Sequence, residues 1–240
     1  MKDKLIVALD VAGRKEALSL VEQLTGGVGA FKIGMQLFNS EGPGIVKEIQ
    51  GLGGKVFIDL KFHDIPNTVA QAAKVITGMN AFMFNVHASG GFEMMKGVAE
   101  AAKETAERLR IKKPLVIGVT VLTSISQDVF EREVGIARPI EEQVTAWAKL
   151  AQKAGLDGVV ASPREILPLR KACGPDFLIV TPGVRPLWAA TNDQKRVMTP
   201  KEAVQQGADY LVVGRPITAH KNPREAAAKI IEEMEEAANA

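Results

Sequence analysis

The strongest constraint on this chain's fold is a repeat. Short β-branched, apolar runs alternate with longer amphipathic segments along the whole length. The runs are "LIVALD" (5–10), "AFKIGM" (30–35), "KVFIDLK" (55–61), "AFMFNVHA" (81–88), "LVIGVTV" (115–121), "DGVVAS" (157–162), "FLIVTPG" (177–183) and "YLVVGR" (210–215). Helical patterns such as "KEALSLVEQL", "TVAQAAKVIT", "GFEMMKGVAEAAKETAERL" and "IEEQVTAWAKLAQKA" separate them. Eight such units in 240 residues give about thirty residues each, the length of a βα module. Strands apolar on both faces and joined by crossover helices predict a parallel sheet. Eight units at this length fit a closed α/β (β/α)₈ TIM barrel better than an open doubly wound sheet. No linker or composition break interrupts the pattern, so residues 1–240 read as one domain.

Composition narrows the function classes. The chain is 46% hydrophobic and 24% charged, a globular balance with material for a large core. Lys and Arg number 30 against 28 Asp and Glu, which gives no electrostatic case for nucleic acid. The charged stretch "KETAERLRIKK" (103–113) reads as a solvated helix face. No run of about 18 apolar residues predicts a membrane span. The N-terminal "MKDKLIVALD" has too short an apolar run for a signal peptide. The single cysteine, Cys173, cannot form an internal disulfide. These features together predict a soluble, cytoplasmic protein.

In a barrel of this kind, chemistry sits at the C-terminal ends of the strands. Read in order, those ends offer Asp10, Lys32, Asp59 with Lys61, His87, Thr120 with Thr123, Ser162, Arg185 and Gly214-Arg215. The segment "DLKFHD" (59–64) is the most unusual, with a lysine between two aspartates where an apolar run ends. Residues two apart on a strand share a face, so Asp59 and Lys61 point into the barrel mouth while Leu60 points to the helices. Asp64 lies beyond the strand. The trio alone is either a buried ion pair or a reaction centre. Lys32 and Asp10 at neighbouring strand ends weigh against a simple pair, since five ionisable groups would then converge. Opposite charges nearby favour the charged forms of the lysines, which makes them poor Schiff-base nucleophiles and good proton donors.

The string "DLKFHDIPNTV" resembles the signature of the orotidine 5′-phosphate decarboxylase family. "ALD", "KIGMQLF", "NVHASGG", "VTVLTS", "TPGVR", "NDQKRV" and "VVGRPIT" match the same family in order. The resemblance implies a homodimeric TIM-barrel lyase with shared active sites. It would need neither cofactor nor metal, and would convert orotidine 5′-monophosphate to UMP and CO₂, the last step of de novo pyrimidine nucleotide synthesis. It implies Lys61 as proton donor to C6, flanked by Asp59 and Asp64, with Lys32 and Asp10 on ribose hydroxyls and orienting the array. It assigns Thr123 to the base, with Ser124 as a less certain companion. Arg185, Gln194, Gly214 and Arg215 fall to the phosphate, and Thr68 to a contact across the dimer. Barrel loops seven and eight are also where phosphate commonly binds through backbone N–H groups.

Plainer readings stand beside these. Thr68 with Gln71 fits a helix capping box, and His63 and His87 fit structural hydrogen bonds. Two other functions compete. A Mg²⁺-dependent sugar-phosphate decarboxylase or aldolase of the same superfamily also carries Asp-x-Lys-x-x-Asp, but places a glutamate where this chain has Lys32. A non-catalytic phosphate-binding barrel would keep Gly214-Arg215 and have no use for Lys61 between aspartates.

Overall fold

All eight apolar runs form strands in the computed structural model, which describes residues 1–189 and 198–238. They are β1 (Leu5–Ala8), β2 (Ala30–Gly34), β3 (Val56–Phe62), β4 (Met83–His87), β5 (Leu115–Val119), β6 (Gly158–Val160), β7 (Leu178–Pro182) and β8 (Tyr210–Val213). Each pairs in parallel with its sequence neighbours, and β8 returns to β1, closing the barrel.

Side-chain alternation divides the apolar material into two cores. Ile6, Ala8, Ala30, Phe57, Met83, Ile117, Val180 and Val212 cluster inside the barrel. The intervening residues, among them Leu5, Val7, Phe31, Ile33, Val56, Ile58, Phe84 and Val86, pack outward against the helices. Both cores follow from the two-residue period of a strand. The same period decides what stands above the inner core. One inward step beyond Ala8, Ala30, Phe57 and Met83 come Asp10, Lys32, Asp59 and Asn85. Hydrophobic filling stops there and polar side chains take over. Gly158 permits the barrel wall at β6, because an added Cβ would collide with the Leu178 carbonyl.

The helices are α1 (Arg14–Leu24), α2 (Met35–Glu41), α3 (Gly44–Gly51), α4 (Pro66–Gly78), α5 (Gly91–Leu109) and α6 (Gln127–Arg132). After them come α7 (Ile140–Lys153), α8 (Ile166–Cys173), α9 (Pro200–Gln205), α10 (Arg215–Thr218) and α11 (Pro223–Ala238). The longer ones, and the six-residue α9, are those the sequence pattern predicts. The three it does not mark, α2, α6 and α10, span only 7, 6 and 4 residues and follow strands β2, β5 and β8. Elements of two turns or fewer are too short to display a 3.6-residue period. Among the described residues no helix is long and apolar enough to cross a membrane.

Two local expectations change. α4 begins at Pro66 with Ile65 as its N-cap, so Thr68 lies inside the first turn and forms no capping box with Gln71. Ser162 and Thr120, polar residues at strand ends, serve the fold. Ser162 forms a capping box with Glu165, and the Thr120 hydroxyl donates to the Val160 carbonyl at 2.9 Å.

Candidate active site

At the C-terminal mouth, four side chains from two strands and one loop form a line of alternating charge. Lys32 Nζ lies 3.1 Å from Asp10 Oδ1 and 3.1 Å from Asp59 Oδ2. Asp59 Oδ1 in turn accepts from Lys61 Nζ at 2.6 Å and from Asn85 Nδ2 at 2.7 Å. Lys32 and Asp59 are each only 8% exposed, and Asn85 1%. Burial by itself would raise the Asp59 carboxyl's pKa. The Lys32 and Lys61 ammoniums and the hydrogen bonds from Lys61 and Asn85 outweigh it and hold the pKa below the ordinary value. Gly34 leaves room for this line, since a Cβ there would meet Lys32 Nζ at 3.3 Å and Asp10 Oδ1 at 3.4 Å.

Lys61 reaches the line by an irregular backbone. Its φ is 53°, the left-handed region, and the β3–β4 register shifts between Ile58 and Phe62. A non-glycine residue there costs about 1–3 kcal/mol and persists only where the surroundings impose it. The bulge releases the Lys61 N–H from the regular ladder, and Asn85 Oδ1 accepts it at 2.8 Å. Asn85 is the residue missing from the sequence reading. Its signal was present, as the one amide in the apolar run "AFMFNVHA", two residues before His87 and on the same face.

The line borders a cavity of about 200 Å³. Lys32, Asp59, Lys61, Asn85 and Thr123 form its polar side, and Phe57, Val119, Val121, Leu122, Val160, Val180, Pro182 and Val212 its apolar side. The predicted residues Lys32, Asp59, Lys61 and Thr123 are thus brought together, and Asp10 joins them through Lys32. The other described site residues are not among those lining the cavity. Gly214 is the N-cap of α10, where a Cβ would be 3.9 Å from Asp10 Oδ2, and Arg215 begins that helix and is exposed. Arg185 follows β7, half-buried, its N–H donating to the Met198 carbonyl at 3.0 Å. Thr68 is exposed on α4. Gln194 falls outside the described residues. Asp64 is exposed, and its Oδ1 accepts the N–H of Ile65 at 2.6 Å. Among the described residues it forms no ion pair with Lys61 (Lys61 pairs with Asp59).

His87 and His63 stand beside the array with ring centroids 5.5 Å apart. Burial, then the neighbouring His63 and Lys61, lowers the pKa of His87. Among the described residues no group of three or more His, Cys, Asp or Glu is arranged to hold a metal ion.

Residues 3–230 match the family described as "Orotidine 5′-phosphate decarboxylase / HUMPS family". The chain is 58% identical over 236 residues to an orotidine 5′-phosphate decarboxylase of Syntrophomonas wolfei, covering 98% of this chain and 99% of that protein. A relative of the same name from Heliobacterium modesticaldum is 56% identical, covering 98% and 97%. Among solved structures, orotidine 5′-phosphate decarboxylase from Lactobacillus acidophilus matches with a TM-score of 0.86 and 38% identity, covering 96% of this chain and 98% of that one.

Proposed function

The chain belongs to the Orotidine 5′-phosphate decarboxylase / HUMPS family, and we infer that it converts orotidine 5′-monophosphate to UMP and CO₂. The observation that carries this is the placement of Lys61, on a bulged backbone, 2.6 Å from a buried aspartate and facing a small, mainly apolar cavity. Breaking the bond from C6 to the carboxylate leaves the electron pair on C6, in the plane of the pyrimidine ring. That pair cannot delocalise into the ring carbonyls, so a fixed positive group and a ready proton are what the protein can supply. Lys61 fills both roles. Its ammonium faces the developing charge, then donates a proton to C6, and water restores that proton after UMP leaves.

The other assignments follow the same chemistry. Asp59 fixes Lys61, Lys32 fixes Asp59, and Lys32 with Asp10 is suited to ribose hydroxyls. Thr123 is suited to the base, and Arg185, Gly214 and Arg215, with Gln194, to the phosphate. Asp64 and Thr68 are assigned to the site of a second subunit in a homodimer. The exposure of both residues, together with that of Ile65 at 66% beside Asp64, supports this assignment. A cytoplasmic location belongs to the same proposal.

The competing Mg²⁺-dependent chemistry is disfavoured by Lys32. Its ammonium sits 3.1 Å from both Asp10 and Asp59, so the point where two carboxylates could share a divalent ion already holds a cation. The test is CO₂ release from orotidine 5′-monophosphate, before and after exhaustive treatment with EDTA. Equal activity is expected in both. Activity that vanished on chelation and returned with Mg²⁺ would assign the metal-dependent reaction instead, and no CO₂ at all would reject the decarboxylase.

A further inference from the structure

We propose that Asn85 is a positioning residue for this reaction, the one side chain that sets both the backbone of Lys61 and the orientation of Asp59; this rests on the decarboxylase function inferred above. Its amide faces two demands of opposite polarity. The Lys61 backbone N–H can only donate, so it requires Oδ1, at 2.8 Å. The Asp59 carboxylate can only accept, so it requires Nδ2, at 2.7 Å. Those partners fix the amide's orientation without ambiguity. At 1% exposure Asn85 has almost no contact with bulk solvent that could replace either bond.

Both contacts bear on one atom, Lys61 Nζ. Left-handed backbone at Lys61 is strained, and the shift in the β3–β4 register leaves its N–H for Asn85. Without that acceptor the residue can relax toward extended backbone, which turns its side chain away from the cavity. The second contact sits on Asp59 Oδ1, the same oxygen that holds Lys61 Nζ at 2.6 Å. Losing it frees the carboxylate to rotate. A displacement of about 1 Å in a reacting group can cost on the order of 100-fold in rate.

Two isosteric changes separate the contacts. Asn85→Leu removes both. Asn85→Asp keeps the acceptor for Lys61 and turns the donor to Asp59 into a carboxyl that can donate only while protonated. The charged and titratable groups around that position are Asp59 and Lys61 on β3, Lys32 on β2, His87 at the end of β4 and His63 just after β3. The carboxylate of Asp59 disfavours a second negative charge there. Steady-state decarboxylation would be measured from pH 5 to 9, with UMP affinity and thermal unfolding of each variant measured in parallel.

The expected result is a kcat loss of about 100-fold for Asn85→Leu at every pH, with UMP affinity within a few-fold of native. For Asn85→Asp the loss should be similar at high pH and should shrink as pH falls, a trend neither the native enzyme nor Asn85→Leu shows. Native kcat in both variants, a loss confined to KM, or pH profiles of one shape would overturn the proposal. Failure of both variants to fold at any pH would also overturn it, by making Asn85 a determinant of the barrel. An inactive native chain would instead reject the decarboxylase reading itself.

Discussion

The barrel carries charged pairs at both ends, and the two ends are built on different plans. At the lower end, where the strands begin, the paired carboxylates of Asp157 and Asp209 are spent on the backbone. Asp157 accepts the Val116 N–H at 2.8 Å and pairs with Lys113 at 2.6 Å. Asp209 accepts the Ile179 N–H at 2.8 Å and pairs with Arg170 at 2.6 Å. Arg170 also donates to the carbonyls of Gly174, Pro175, Phe177 and Gly207. Those groups join adjacent strands and leave little unused hydrogen-bonding capacity. At the upper end, Asp59 holds two ammoniums and an amide, but Lys61 faces a cavity with donors to spare and a strained backbone beneath it. A satisfied pair stabilises, whereas a pair left facing space at a strained position is available for chemistry.

The largest separation between the two ends should come from Lys61. Lys61→Ala removes the proposed proton donor and should lower kcat by on the order of 10⁴-fold or more, while the unfolding temperature stays close to native. Lys61→Gly should be equally inactive and at least as stable as Lys61→Ala, because glycine accepts positive φ without strain. Inactivity accompanied by a large fall in stability would put Lys61 in the same category as Arg170. The same variant tests the proposed sharing of the site between subunits. Lys61→Ala and Asp64→Ala homodimers should each be nearly inactive, and co-refolding them should return activity in about a quarter of all sites, because a two-fold interface is self-complementary. Heterodimers without recovered activity would assign Asp64 to its own subunit.

Arg215 should come next. It contributes no atom to the cavity lining, so its proposed partner is the remote phosphate. A charge-assisted hydrogen bond contributes about 1.5–3 kcal/mol, so Arg215→Ala should lower kcat/KM by roughly 10- to 100-fold. Contacts remote from the reacting centre can also lower the barrier itself. A substrate lacking the phosphate should react far more slowly with the native enzyme, and the mutation should then make little further difference. An equal penalty on both substrates would separate Arg215 from the phosphate.

How far the sequence discloses each end depends on what its residues do. The barrel is legible because eight alternating runs must each bury two faces, and all eight are strands. Asp59, Lys61 and Lys32 are legible because charge inside such runs is costly and so stands out. Asn85 is harder to see, because an uncharged amide breaks an apolar run only once and its value depends on a backbone bulge that no residue pattern announces. Polar residues at strand ends also mislead. Ser162 caps a 3₁₀ turn and Thr120 satisfies a carbonyl, although both occupy positions as suggestive as that of Thr123. Ion pairs at the lower end leave no comparable mark. Asp157 and Asp209 stand just before their strands, where acidic residues are ordinary.

Arg170 supplies the reverse test. Arg170→Met removes the partner of Asp209 and the donor to four carbonyls. Breaking a buried pair costs roughly 3–5 kcal/mol. Here both side chains keep about a fifth of their exposure, 21% and 23%, so about 2–3 kcal/mol is expected. For a chain of this size that lowers the unfolding temperature by roughly 4–12 °C. The kcat of the folded fraction should be native. A change in kcat without a change in stability would couple the lower end to the chemistry and remove the distinction between the two.

The smallest effect concerns pH, and it should be confined to the upper end. Burial, followed by the proximity of His63 and Lys61, lowers the His87 pKa, while Asp59 pulls it the other way. A histidine whose folded pKa lies below its unfolded value of about 6.5 favours folding in its neutral form. Its contribution is fully present above the unfolded value and is lost as pH falls through the folded one, because the unfolded chain then binds the proton more readily. Native stability should therefore decline as pH is lowered from about 6.5, more steeply than that of His87→Asn. Above that pH the two curves should run parallel. Thermal unfolding at half-unit intervals from pH 8 to 5 would read the difference. Curves that stayed parallel throughout would mean that the imidazole keeps its ordinary titration at the barrel mouth.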